Sequence, residues 1–137
     1  MVFLTTDTQN KILAHMLNGV AYSAPTSWYI GLATNVAADG TITGEPTTNG
    51  YARKQVATNN TTIFGAAANG IVTNTGVITF DTSTSTGWGA VTKWFASTAS
   101  SGGTIIAYGA LGQGITVLGS QAPSFPASQF TLDAHLW

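Results

Sequence analysis

The chain has 137 residues and no cysteine, its formal net charge is -1, and only 7% of it is Asp, Glu, Lys or Arg, against about 25% in ordinary soluble domains. That length points to one domain, and the lack of cysteine excludes a disulfide framework or a thiolate metal site. Four Lys and Arg residues cannot line a groove that tracks phosphates, because such a groove needs clustered positive charge to displace counterions; nucleic acid is not an expected partner.

With so few charges, the surface must be built from Thr, Ser, Asn, Gly and Ala. Neutral surfaces suit a protein that works assembled, because burying them avoids the desolvation cost of burying charge. Met1-Val2-Phe3-Leu4 runs straight into Thr5-Thr6-Asp7, with no basic region and no long apolar run, so no secretory leader is expected. No apolar stretch approaches the ~20 residues of a spanning helix. No membrane partner is expected, and folding should take place in the cytoplasm that makes the chain.

Residues 6–18 read as the one helix. Thr6-Asp7-Thr8-Gln9 has the form of a capping box, in which the Thr6 hydroxyl takes the amide of Gln9 and Gln9 reaches back. Asp7 suits the positive end of the helix dipole and lies four residues before Lys11. Ile12, Leu13, Met16 and Leu17 make one apolar stripe, and Gly19 is placed to end the helix. A helix this short must dock on something to persist. His15 has no His, Cys or carboxylate at the spacing of a metal site and reads as an ordinary half-buried side chain.

The period then changes. Trp28, Ile30 and Leu32 alternate with Tyr29, Gly31 and Ala33, the pattern of a half-buried strand. Residues 35–50 read as a loop, with turn dipeptides at Asp39-Gly40 and Asn49-Gly50 and a breaker at Pro46. Its two acids, Asp39 and Glu45, are too few for a calcium site. A strand over 51–57 carries Arg53 and Lys54 on opposite faces, as a solvated edge or a rim ion pair; the alternative is that Arg53 pairs with an acid of a neighbouring subunit. Between 61 and 80, short β-branched pieces are interrupted by Ala, Gly and Asn.

The stretch Thr79–Leu111 reads as the centre of the core. It holds Trp88 and Trp94, two of the four tryptophans, with one acid (Asp81) and one base (Lys93). Strands are expected over 88–95 and 104–111, a turn at Gly112-Gln113-Gly114, and a further strand over 115–118. Residues 119–126, with Pro123 and Pro126, read as non-strand. The chain closes on an alternating run that puts Phe130, Leu132, Ala134 and Leu136 on one face. Seven or eight short strands with one short N-terminal helix make the expected fold mainly β, an antiparallel β-sandwich or jelly roll. It forms a single domain over 1–137, with a helix over about 6–18 and a C-terminal tail over about 119–137.

Catalytic patterns are scarce. There is no Gly-x-Ser-x-Gly elbow, and the glycines sit in turns rather than before helices, unlike a phosphate loop. Asp133 and His135 would share a face of the last strand, which reads as a polar strand end rather than a relay. No pair of acids is marked out for hydrolytic work. No enzymatic activity, cofactor or metal is expected, and the aromatics read as core or interface anchors rather than a sugar platform.

The order of these pieces resembles a family of small tailed-bacteriophage virion proteins, labelled tail-fibre or head-decoration proteins. The resemblance runs from Lys11-Ile12-Leu13-Ala14-His15-Met16-Leu17 through Tyr22-Ser23-Ala24-Pro25 and Trp28-Tyr29-Ile30-Gly31-Leu32. It continues with Gly50-Tyr51-Ala52-Arg53, Val77-Ile78-Thr79-Phe80, Trp88-Gly89-Ala90-Val91-Thr92 and Gly109-Ala110-Leu111. It reaches residue 118; the chain departs from the pattern at Gln121 to Pro126 and at His135-Leu136-Trp137. The resemblance implies a structural virion role. One form of that role is a capsid cement: an oligomer, homodimer or homotrimer, on the outside of the head, bridging neighbouring subunits of the major capsid protein and stabilising the shell by mass action. The other is a tail-fibre or tail-associated protein that recognises the host. The sequence favours cement, since the chain shows no heptads or other repeat from which to build a shaft. Its candidate interface residues are Ile12 and Met16 on the helix, Arg53 and Lys54, and the apolar pair Leu136 and Trp137.

Overall fold

A computed structural model describes residues 2–57 and 63–133. The chain opens on β1 (Val2–Leu4), enters α1 (Thr6–Asn18) and continues as β2 (Ser27–Ala33), β3 (Asn35–Val36), β4 (Ile42–Thr43) and β5 (Lys54–Ala57). Then come β6 (Ile71–Thr73), β7 (Ile78–Thr79), the long strands β8 (Gly89–Ser97) and β9 (Ile105–Val117), and finally β10 (Ser124–Phe125) and β11 (Thr131–Asp133). The protein is mainly β, with antiparallel pairing throughout the named strands.

Five strands form one sheet in the order β1-β9-β8-β2-β5, and the remaining six form three two-stranded ribbons, β7 with β10, β6 with β11 and β3 with β4. The architecture is a β-sandwich. One face of the sheet carries Ile30, Leu32, Trp94, Ala96 and Ala107, which pack with Ile78, Phe80, Trp88 and Phe130 and against Phe125 and Leu132 of the ribbons. Phe130 sits at its centre, 4.4 Å from the Trp94 ring and 5.2 Å from the Phe125 ring. The opposite face is covered by the β3–β4 hairpin, where Val36 and Ile42 close over Ala33, Phe95 and Ile105.

That double covering corrects the half-buried reading of β2. Residues 30–33 are all buried, because β2 lies between β5 and β8 with a layer on either side. Ile30 and Leu32 fill one layer. On the other, Gly31 gives its side-chain space to Phe95, whose ring lies where a Cβ would stand.

The helix spans the expected residues, but its start differs. Thr5, not Thr6, precedes the first turn, and no side chain caps it. The Thr5 amide donates to Ile106 O (2.9 Å), extending the β1–β9 pairing, and its hydroxyl donates to Ile105 O at 2.6 Å. Thr5 is thus committed to β9 before the helix begins. Gln9 still reaches back, its Nε2 donating to Leu4 O at 3.0 Å. Gly19 ends the helix with φ 67°, the left-handed conformation that glycine adopts without penalty.

Three further expectations change. The 35–50 loop contains the β3–β4 hairpin. The turn at 112–114 is absorbed into β9: Val91 pairs with Ile115 and Lys93 with Ala110, so a step of two residues on β8 matches a step of five on β9, and the excess forms a bulge. Residues 124–125 pair with β7, although Pro123 and Pro126 flank them. Asn74 explains how so short a pair is held. It is fully buried, its Nδ2 donates to Pro126 O and Gly76 O at 2.8 Å, and its Oδ1 accepts from the Phe130 amide at 2.8 Å.

Candidate functional site

Arg53 sits just before β5, and its position is set by acids and carbonyls of its own chain. Its Nε and Nη2 grip Glu45 in a two-point pair at 2.7 and 2.8 Å. Its Nη1 donates to Ser97 Oγ at 3.0 Å, to Ala99 O at 3.0 Å and to Gly102 O at 2.7 Å. The guanidinium also lies over the Phe95 ring, 4.9 Å from its centroid. The side chain is only 5% exposed. The Glu45 carboxylate pushes its pKa further up, so the charge is fixed. The acid that Arg53 meets is in the same chain, but the pair is closed in rather than on a solvated rim, and the guanidinium ties Glu45 to the end of β8 and the loop that follows it.

Tyr51 completes this cluster. Its hydroxyl accepts from the Leu32 amide at 2.9 Å and donates to Glu45 Oε1 at 3.1 Å, and its ring meets Trp88 edge-on at 5.2 Å. Burial pushes the phenol above the usual tyrosine range, and the neighbouring carboxylate adds to the shift. The arrangement is a lock between loops. Glu45 was visible in the sequence as one of two acids in the 35–50 segment, but nothing in its spacing announced Arg53 as its partner.

The other sequence-derived candidates lie apart from this cluster. Lys54 is 41% exposed and stands 3.7 Å from Asp81, a solvated pair of the kind that contributes little. Ile12 is half-buried, whereas Met16 is 70% exposed. His15 is exposed rather than half-buried, with its Nδ1 3.0 Å from Val20 O. Leu136 and Trp137 lie outside the described residues, as does the His135 half of the Asp133/His135 pair.

What the helix presents is a surface. Its buried residue is Thr8, while Leu13, Met16 and Leu17 face outward at 48%, 70% and 76% exposure, joined by Val20 just past the cap. The sequence shows the stripe; which way it turns depends on Thr5 bonding to β9 and Thr8 packing inward beside it.

A second feature is a cleft of about 650 Å³ between the sheet and the ribbons, bordered by Trp94, Leu111, Phe125, Gln129 and Asp133. Among the described residues, no three His, Cys, Asp or Glu side chains gather as a metal-ligand group, and no helix is long and apolar enough to cross a membrane.

A family described as podophage GP4 fiber I protein gp80 matches residues 4–133. That span covers the described sandwich from the end of β1 to the end of β11. No curated protein matches the chain.

Proposed function

Since the chain belongs to the podophage GP4 fiber I protein gp80 family, a family of phage virion proteins, we propose that it is a structural subunit of the phage tail, part of a fibre, and that it acts by presenting surface rather than by catalysis. The family's description as a fibre protein carries the choice of tail over head. The placement of the charges supports a non-catalytic role: Arg53 is closed onto Glu45, Lys11 onto Asp7 at 2.7 Å and Lys54 faces Asp81, so each of these cations stands beside an acid of the same chain. Among the described residues the outward surface is mostly neutral and includes an apolar helix face, suited to packing against other virion proteins or a host surface.

A second reading is favoured by the compact, weakly charged sandwich. In it the protein is a capsid cement that binds the outside of the head and bridges neighbouring major capsid protein subunits, as a homodimer or homotrimer. Mass action would then stabilise the shell, because a partner that binds only the assembled state shifts the equilibrium toward it.

Quantitative mass spectrometry of purified virions separates the two. The fibre reading expects a low copy number per particle and, on deletion, loss of adsorption with capsid heat resistance intact. Hundreds of copies, with heat or osmotic fragility and normal adsorption on deletion, would replace it with the cement reading.

A further inference from the structure

The sequence holds three Asn-Gly dipeptides, Asn18-Gly19, Asn49-Gly50 and Asn69-Gly70. Asparagine is chemically labile, most of all before glycine, where no Cβ shields the following amide nitrogen from the side-chain carbonyl carbon. The fold treats the three differently. Asn49 is half-buried. Its Nδ2 donates to Gly87 O at 2.5 Å, and its carbonyl accepts from Trp88 Nε1 at 3.0 Å and from the Thr84 amide at 2.9 Å. Its side chain cannot swing towards Gly50 without giving up Gly87. Asn18 is exposed but ends α1, and the Gly19 amide that would have to attack donates to Ala14 O. Asn69 and Gly70 are both exposed and form the two-residue tip of a hairpin, closed by paired bonds of 2.9 Å between Ala68 and Ile71. Their φ angles, 52° and 74°, are those of the type I′ turn that Asn-Gly favours. Among the described residues, neither the Asn69 side chain nor the Gly70 amide has a hydrogen-bond partner.

We propose that Asn69 is a site of spontaneous deamidation, selected by the fold from the three. The Gly70 amide loses its proton to hydroxide, and its nitrogen bonds to Asn69 Cγ. The Cγ–Nδ2 bond then breaks, and the departing nitrogen takes a proton from water and leaves as ammonia. Water opens the resulting cyclic imide at either carbonyl, giving aspartate or isoaspartate. Both products add one negative charge to a chain whose formal net charge is -1. Isoaspartate also routes the backbone through the side-chain carbon, which lengthens a turn whose length fixes the register of its strands. The hairpin leads into β6, which pairs with β11. Gly70 borders a small apolar pocket with Trp28, Val72 and Leu132, so the lengthened tip adjoins the packing of that ribbon on the sheet. The reaction runs one way, and its product marks the age of the protein. It is a property of the chain itself and holds on the tail or on the head.

Peptide mapping by mass spectrometry tests this on the folded protein, aged for weeks at mildly alkaline pH in water labelled with heavy oxygen. Asn49 and Asn18 must first open locally, so Asn69 should convert at least about tenfold faster than either, with labelled oxygen in its products. In denaturant all three are free, and their rates should come together. An Asn69 that stays intact in the folded protein, or that converts no faster than Asn49 or Asn18, overturns the proposal. The same preference for Asn69 in the unfolded chain also overturns it, since the fold would then not be the selector. Asn69→Gly suits the left-handed φ of that position and gives a readout on the whole molecule. The wild type should accumulate a more acidic form on isoelectric focusing, and the variant should lose most of it; equal accumulation in both counts against the site.

Discussion

Arg53 joins two loops and a strand end through one guanidinium. Its removal takes a donor from Glu45, the Ser97 hydroxyl and the carbonyls of Ala99 and Gly102, and leaves Glu45 with the Tyr51 hydroxyl alone of the donors described above. Breaking a buried pair from one side costs more than the pair contributes, because the remaining charge stays buried. Glu45 is 21% exposed, so water recovers part of its solvation. Arg53→Ala should therefore cost about 3 kcal/mol in denaturant unfolding, and Arg53→Lys should recover only part of it, since an ammonium cannot make the two-point grip. A loss below about 0.5 kcal/mol, the size of an exposed pair, would mean that the lock is ornamental. Tyr51 adds a dependence on pH. Burial raises its pKa in the folded state, while the unfolded chain ionises near pH 10. The folded state then holds a proton that the unfolded state has lost, so the contribution is whole below pH 10 and shrinks as pH rises past it. The slope from this one group is up to about 1.4 kcal/mol per pH unit. Urea midpoints at pH 9, 10 and 11 should fall more steeply for the wild type than for Tyr51→Phe; parallel slopes would exclude Tyr51 as the source. At neutral pH the same variant should lose about 1–2 kcal/mol, because the buried Leu32 amide loses its acceptor.

At the level of elements, Gly31 shows how β2 and β8 fit. Phe95 is fully buried, and its ring occupies the place of a Gly31 side chain. Gly31→Ala should cost about 1–3 kcal/mol through overpacking. Adding Phe95→Leu should return part of that loss, a coupling measurable as a double-mutant cycle; additive losses would show that the ring is not the obstacle. This element also marks where sequence was informative. The alternation of Trp28, Ile30 and Leu32 announced a strand, and the stop at Gly19 announced the end of α1, because both follow from backbone geometry. Burial on both faces of β2 was not legible, since the covering hairpin is made by four residues of ordinary loop composition, Asn35–Val36 and Ile42–Thr43. The same holds at the helix start. Thr5 and Thr6 are equal as caps by type, and only the pairing of β1 with β9 decides between them. The pair formed by β7 and β10 was hidden because it is held by Asn74, which lies just before β7 but far in sequence from β10, rather than by strand propensity. The candidate surface was half legible: spacing gave the row on α1, but its outward turn comes from tertiary contacts.

As a whole molecule, the protein is a sandwich in which Lys11, Arg53 and Lys54 stand beside acids of the same chain and α1 turns an apolar face outward. Such a body is suited to being a building unit. Its surface chemistry explains why low charge is tolerated: contacts in an assembly exclude water from neutral groups at little cost, whereas charged rims would have to be desolvated or screened. On the proposed reading this body is a fibre component of the phage tail. Cryo-electron microscopy of intact virions tests it most directly, because the five-stranded sheet with its ribbons and projecting helix has a shape that can be fitted into density. The sandwich should fit density on fibres at the tail. Density for the same sandwich spread over the outer surface of the head, with none at the tail, would contradict it.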